Sequence, residues 1–162
     1  MKEMHKEYMK PLLKEWNFFG LELSKEKTRI LPFGRYSGSR ETFDFLGFTH
    51  YNSKTRKGYY TVGHKICRTK KKQFKSYLKK WVKENRNTQF DEFIKTLNKK
   101  LTGSFNYYSL SGMIKEVRSL LIHSLYVTFK LMNRRSQRRS FKLEMFYEIW
   151  NDKIIHPYIH VD

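Results

Sequence analysis

In the stretch RTKKKQFKSYLKKWVKENRN, residues 68–87, the bulky groups Phe74, Tyr77, Leu78, Trp81 and Val82 recur at i, i+3, i+4, i+7 and i+8. Lysines fill most of the positions between them. That spacing predicts an α-helix from Arg68 onward with one apolar face and a cationic remainder. Upstream of it the period is shorter. Asn52 to Gly58 reads as a turn leading into Tyr59, Tyr60, Thr61 and Val62, a hairpin, and Phe43, Phe45, Leu46 and Phe48 form an aromatic-rich strand candidate ending near Tyr51. Leu21 and Leu23 alternate with polar residues, and Ile30 and Leu31 make a short apolar run, so three or four short strands are expected between Gly20 and Ile66. Before them, Leu12, Leu13 and Trp16 follow Pro11 at helical spacing, and Gly20 is placed to end that helix.

Downstream, the helical pattern continues. A second helix is expected from near Thr88, with Asp91 and Glu92 in its first turn, Phe90, Phe93, Ile94, Leu97 and Leu101 inside, and Gly103 just past its end. GSFNYYSLSG then reads as a connection. A third helix is expected from about Met113 to Met132 on Ile114, Val117, Leu121 and Leu125. After the cluster NRRSQRRS, Ser140 reads as the N-cap of a last helix carrying Phe141, Met145, Phe146, Ile149 and Trp150. The expected class is therefore α+β: a small antiparallel β part up to about Ile66, followed by an all-α bundle.

Composition bounds the function. The chain has 162 residues, with 34 Lys and Arg against 15 Asp and Glu, a formal net charge of +19, and an aromatic fraction of 17%. So much aromatic side chain separates it from a disordered basic tail, which lacks large groups to bury. Alanine is absent while Lys, Asn, Ile, Phe and Tyr abound, a pattern that an AT-rich coding sequence would produce. The same bias should also enrich Glu, so the excess of cations points to a polyanionic partner. Lys, Arg, Asn or His interrupts every hydrophobic stretch, no apolar leader opens the chain, and Cys67 is the sole cysteine. These features predict a cytoplasmic protein with a plain thiol, no membrane partner and no disulfide.

Candidates for catalysis are sparse. Two-metal phosphoryl transfer needs several carboxylates around one site, but the four aspartates, Asp44, Asp91, Asp152 and Asp162, include no adjacent pair. Asp44 with Glu41 is the nearest constellation. His156 and His160 have the spacing of a helical metal pair, but Pro157 lies between them, and His50, His64 and His123 lack a matching nucleophile or acid. No catalytic residue, metal or cofactor is expected.

The cations are more specific. Between Ser53 and Arg86 thirteen Lys and Arg are opposed only by Glu84, and no acid at all occurs from Val117 to Leu143. Clustered cations on a folded core bind phosphates by Coulomb attraction and counterion release, and guanidinium groups add bidentate contacts. Lys70, Lys71, Lys72, Lys75 and Lys79 in the first run, with Arg134, Arg135, Arg138 and Arg139 in the second, are the candidate phosphate contacts. Tyr107 and Tyr108 are candidates for stacking on exposed bases, as are Tyr59 and Tyr60.

Two further strings, GLELSKEKTRI from Gly20 to Ile30 and FDFLGFTHY from Phe43 to Tyr51, resemble the end of the palm in bacterial group II intron reverse transcriptases. LNKKLTGSFNYYSLSG from Leu97 to Gly112 and LMNRRSQRRSF from Leu131 to Phe141 are similar to the thumb, or maturase (X) domain, of those proteins. The resemblance covers nearly the whole chain, in order. It implies a palm remnant over 1–66 and a helical thumb, the maturase-specific domain, over 67–162. The family's catalytic aspartate pair lies upstream of the GLELS-like segment, so the chain is expected to begin too late to contain it. Near the other end the family often has Pro-Arg-Ile, whereas here Pro157 is followed by Tyr158 and Ile159, and an endonuclease module is not expected.

What the resemblance implies is a maturase-type fragment that binds structured group II intron RNA to assist splicing, without polymerase activity on its own. Two other readings stay open: the C-terminal half of a split reverse transcriptase that needs an N-terminal fragment in trans, and an inactive mobile-element remnant.

Overall fold

The structure, a computed structural model, describes residues 11, 14–16, 18–22, 24, 28, 30–109, 112–134 and 141–154. The chain divides into two compact units, Met1–Glu41 and Thr42–Asp162. In the first, a short helix ends where expected: Gly20 has a φ of +67°, and the Leu21 N–H donates to the Trp16 carbonyl at 2.9 Å. This is the closing bond of a glycine-terminated helix. No strand occurs among the described residues from Gly20 to Glu41, contrary to the expectation from the Leu21 and Ile30 patterns. Alternation makes a strand only when a neighbouring strand takes its backbone hydrogen bonds, and among the described residues the sheet holds only strands that begin at Thr42 or later.

In the second unit, β1 (Thr42–Phe45), β2 (Phe48–Lys54) and β3 (Tyr60–Ile66) form an antiparallel meander with β2 in the centre. The sequence over 43–51 read as one strand, but it is two strands folded back at Leu46 and Gly47, with Phe45 paired to Phe48. Both turn residues have positive φ, 49° and 83°, the conformation of a two-residue hairpin whose twist matches its strands. Phe45, Leu46 and Phe48, with Gly47 alone among them to signal a turn, hid the reversal. The β2–β3 hairpin falls where Asn52 to Gly58 predicted a turn: the Thr55 N–H donates to the Tyr59 carbonyl at 2.8 Å, and the Tyr59 N–H donates to Thr55 Oγ1 at 3.1 Å.

Four helices follow: α1 (Arg68–Asn85), α2 (Phe90–Tyr108), α3 (Ile114–Asn133) and α4 (Leu143–Lys153). The α+β class and the order of its parts agree with the sequence reading. Helix α2 passes straight through Gly103, where a stop was expected, because Leu97, Leu101, Phe105 and Tyr108 continue one buried stripe. Burying two further rings outweighs the ~1 kcal/mol that glycine costs a helix interior. Helix α4 starts at Leu143 with Lys142 at its N-cap, later than expected, and Ser140 lies outside the described residues.

One core joins the sheet to the helices. Phe48 and Ile66 bury one end of a sheet face against Tyr108, while Leu78 and Val82 of α1, Phe93 and Leu97 of α2, Val117 and Leu120 of α3, and Phe146 and Trp150 of α4 complete it. Trp81 stacks on Phe93 with ring centroids 5.0 Å apart. Among the described residues, no helix is long and apolar enough to cross a membrane.

Candidate nucleic-acid interface

Helix α1 turns its apolar stripe inward, so Lys72, Lys75 and Lys79, spaced near 3.6, share an outer face. On α3 the positions His123, Tyr126, Lys130 and Arg134 repeat at the same period on the side that the core leaves open. The two faces meet across a groove of about 600 Å³ lined by Lys72, Lys75, Ser76, Lys79, His123, Tyr126, Val127, Lys130, Leu131 and Arg134. No acid is among these lining residues. Five cations from two helices thus converge on one concave surface with nothing on its walls to neutralise them.

That field is felt inside the groove. His123 is held below the ordinary histidine range, first by burial of its ring and then by the Lys75 ammonium. It therefore stands neutral near pH 7 and offers one nitrogen as donor and the other as acceptor. The Tyr126 ring is 56% exposed and has Lys130 Nζ at 6.0 Å from its centroid.

A second trough of about 640 Å³ lies on the other side of the Tyr126, Lys130 and Arg134 ridge. Its walls differ. Phe129, Phe141 and Leu143 supply apolar surface, and Glu144 is its acid, set among Lys130, Arg134 and Lys142. Its corner is held by Asn133, whose Nδ2 donates to the Phe141 carbonyl at 3.1 Å and whose Oδ1 accepts from the Phe141 N–H at 2.9 Å. One side chain thereby clamps both ends of the arginine-rich connection between α3 and α4.

The residues singled out by sequence divide among several places. Lys72, Lys75, Lys79 and Arg134 are brought together in the first groove. Lys71 instead pairs with the Glu116 carboxylate of α3. Lys70 packs its aliphatic stem beside the Leu46–Gly47 turn: its Cγ lies 3.5 Å from where a side chain at Gly47 would begin. Tyr107 reaches the same turn, its hydroxyl donating to the Leu46 carbonyl at 2.6 Å while its ring stacks on Phe48 at 5.6 Å. It is 53% exposed, but Tyr108 is buried in the core, so its ring offers no face to a base. Arg135, Arg138 and Arg139 lie outside the described residues, as do His156 and His160. Sequence reasoning missed Ser76, His123 and Tyr126 and left Lys130 unassigned. The α3 spacing of Tyr126, Lys130 and Arg134 at i, i+4 and i+8 was the signal available.

Elsewhere the polar groups serve the fold. Asp44 accepts from Thr49 Oγ1 at 2.5 Å. His50 and His64 face each other across β2 and β3 with their Nδ1 atoms 2.9 Å apart. No group of three or more potential metal ligands occurs among the described residues.

Fold and groove together define a small basic α+β protein whose helical part presents an acid-free cationic trough. Residues 71–146 match the model of the group II intron, maturase-specific domain, a span that runs from the first turn of α1 into α4 and so includes both troughs. Over that span the chain is similar to the maturase-specific domain, which supports reading it as the C-terminal region of a group II intron maturase. No significant match was found among curated proteins or among solved structures.

Proposed function

We propose that this chain binds structured group II intron RNA and assists its splicing as an RNA-binding maturase-type protein, with no polymerase activity of its own. The observation that carries this reading is the α1–α3 groove, where Lys72, Lys75, Lys79, Lys130 and Arg134 converge inside the maturase-specific region. Ammonium groups supply mobile point charges for phosphates, and the Arg134 guanidinium supplies a planar fork for two phosphate oxygens. Ser76 and the neutral His123 add hydrogen-bonding groups suited to 2′-hydroxyls. In this reading residues 1–66 correspond to the end of a palm and 67–162 to a thumb, and the RNA supplies the splicing chemistry while the protein holds its active shape.

Five phosphate contacts give a slope of about −3.5 to −4.5 in log affinity against log salt, so affinity falls by about two to three orders of magnitude between ~50 and ~200 mM. Titration of a folded group II intron RNA against the full chain over that range measures the slope. An affinity indifferent to salt would overturn the proposal. Faster or more complete splicing of the same RNA at low magnesium, with added protein, is the expected functional readout.

A further inference from the structure

We infer that the paired troughs seat an unpaired stretch of RNA, its phosphates in the α1–α3 groove and a base against Tyr126 in the apolar trough beside it, an inference that rests on the RNA-binding reading above. The two troughs share Tyr126, Lys130 and Arg134 as a common ridge, so a chain that crosses the ridge meets cations on one side and rings on the other. A cationic track with aromatic faces next to it is how single strands are held without a fixed sequence.

A duplex would use only half of this surface. Its bases are stacked inside the helix, and it presents phosphates and 2′-hydroxyls alone. The rings and methyls along the second trough would then stay wet: Tyr126 is 56% exposed and Leu143 52% exposed. Each trough has the size of a site for a drug-sized ligand, about 300–1,000 Å³, which suits one or two nucleotides rather than a long helix.

The linings sort the two halves of a nucleotide between the troughs. The first is lined by Lys72, Lys75, Lys79, Lys130 and Arg134 with no acid, whereas the second sets Phe129, Phe141 and Leu143 among Lys130, Arg134, Lys142 and Glu144. Glu144 offsets one of those three cations and accepts hydrogen bonds from the amino groups of a base edge, and the apolar groups favour a base over a phosphate. The backbone is therefore directed to the groove and the base to the trough. Lys130, beside the Tyr126 ring at 6.0 Å, links the two halves.

The test compares an unstructured RNA of about a dozen nucleotides with an RNA duplex of similar length, by fluorescence anisotropy with the full chain. The unstructured RNA is expected to bind more tightly. Tyr126→Ala is expected to weaken its binding by between about fivefold and a hundredfold, Tyr126→Phe to restore it, and duplex binding to change by less than about twofold in either variant. Tyr126 is largely exposed, and unchanged far-UV circular dichroism checks that both variants fold. Tighter binding of the duplex overturns the inference, as does an equal effect of Tyr126→Ala on both probes or none on either, even where both bind with a steep salt dependence. Absence of salt-dependent binding to either probe overturns the RNA-binding reading itself.

Discussion

The Tyr107 hydroxyl donates to the Leu46 carbonyl while its ring stacks on Phe48, so this side chain is a strut across the sheet-to-helix junction as well as a surface group. The sequence supplies its type and neighbours but not its partner, because Leu46 is far away along the chain and sits in a turn that its own residue type disfavours. A leucine with φ of 49° is strained by about 1–2 kcal/mol, and at 68% exposure its side chain returns little by burial. Leu46→Asn, which makes the Asn-Gly pair preferred in this hairpin, should raise stability by about 1 kcal/mol in urea melts. The backbone carbonyl that receives Tyr107 stays in place. A drop in stability would show that the Leu46 side chain matters more than its backbone.

His64 makes a separate prediction about pH. It is held below its ordinary value of 6.5, first by burial and then by His50 across the strand pair. The folded state thus takes up this proton less readily than the unfolded chain. The contribution of neutral His64 to stability is complete above about pH 6.5 and is lost as pH falls toward and through the depressed folded value. Urea midpoints should fall on acidification from about pH 7.5 to about 5.5. His64→Gln should flatten that dependence; an equally steep fall in the variant would place its cause elsewhere.

Among the elements, α1 and α3 were legible because their apolar residues keep one period over several turns, and the structure sets them at Arg68–Asn85 and Ile114–Asn133. Helix α2 was legible only in part. Gly103 followed by Ser, Asn and two Tyr reads locally as a connection, yet Phe105 and Tyr108 lie on the same buried stripe as Leu97 and Leu101. Burial that depends on other helices decided the matter, and local propensity carries no record of it. Gly103 has ordinary backbone geometry, and a Cβ there meets nothing within 4 Å. Gly103→Ala should therefore stabilise the protein by about 0.5–1 kcal/mol, read as a rise in thermal midpoint. No change or a loss would mean that α2 is less regular at this point than its hydrogen-bonding pattern indicates. The β1–β2 turn failed to show for the converse reason: Phe45, Leu46 and Phe48 around it are apolar, and Gly47 alone marks the reversal.

For the whole molecule, a net charge of +19 on 162 residues announced a polyanionic partner but not where it sits. Two cation runs, far apart in sequence, were legible as runs. Folding brings members of both into one groove and sends others elsewhere: Lys71 to Glu116, Lys70 to the Leu46–Gly47 turn. The charge gathered in the groove is thus a small share of the total, and its position follows from the placement of α1 beside α3. The most direct measurement is the salt dependence of intron RNA binding by a variant with Lys75, Lys79, Lys130 and Arg134 all replaced by Gln, set against the unaltered chain. If the groove is the RNA-binding surface, affinity at low salt falls sharply and the slope shrinks by about one unit for each phosphate left without its cation. A variant that keeps both the affinity and the slope of the parent chain would contradict that assignment.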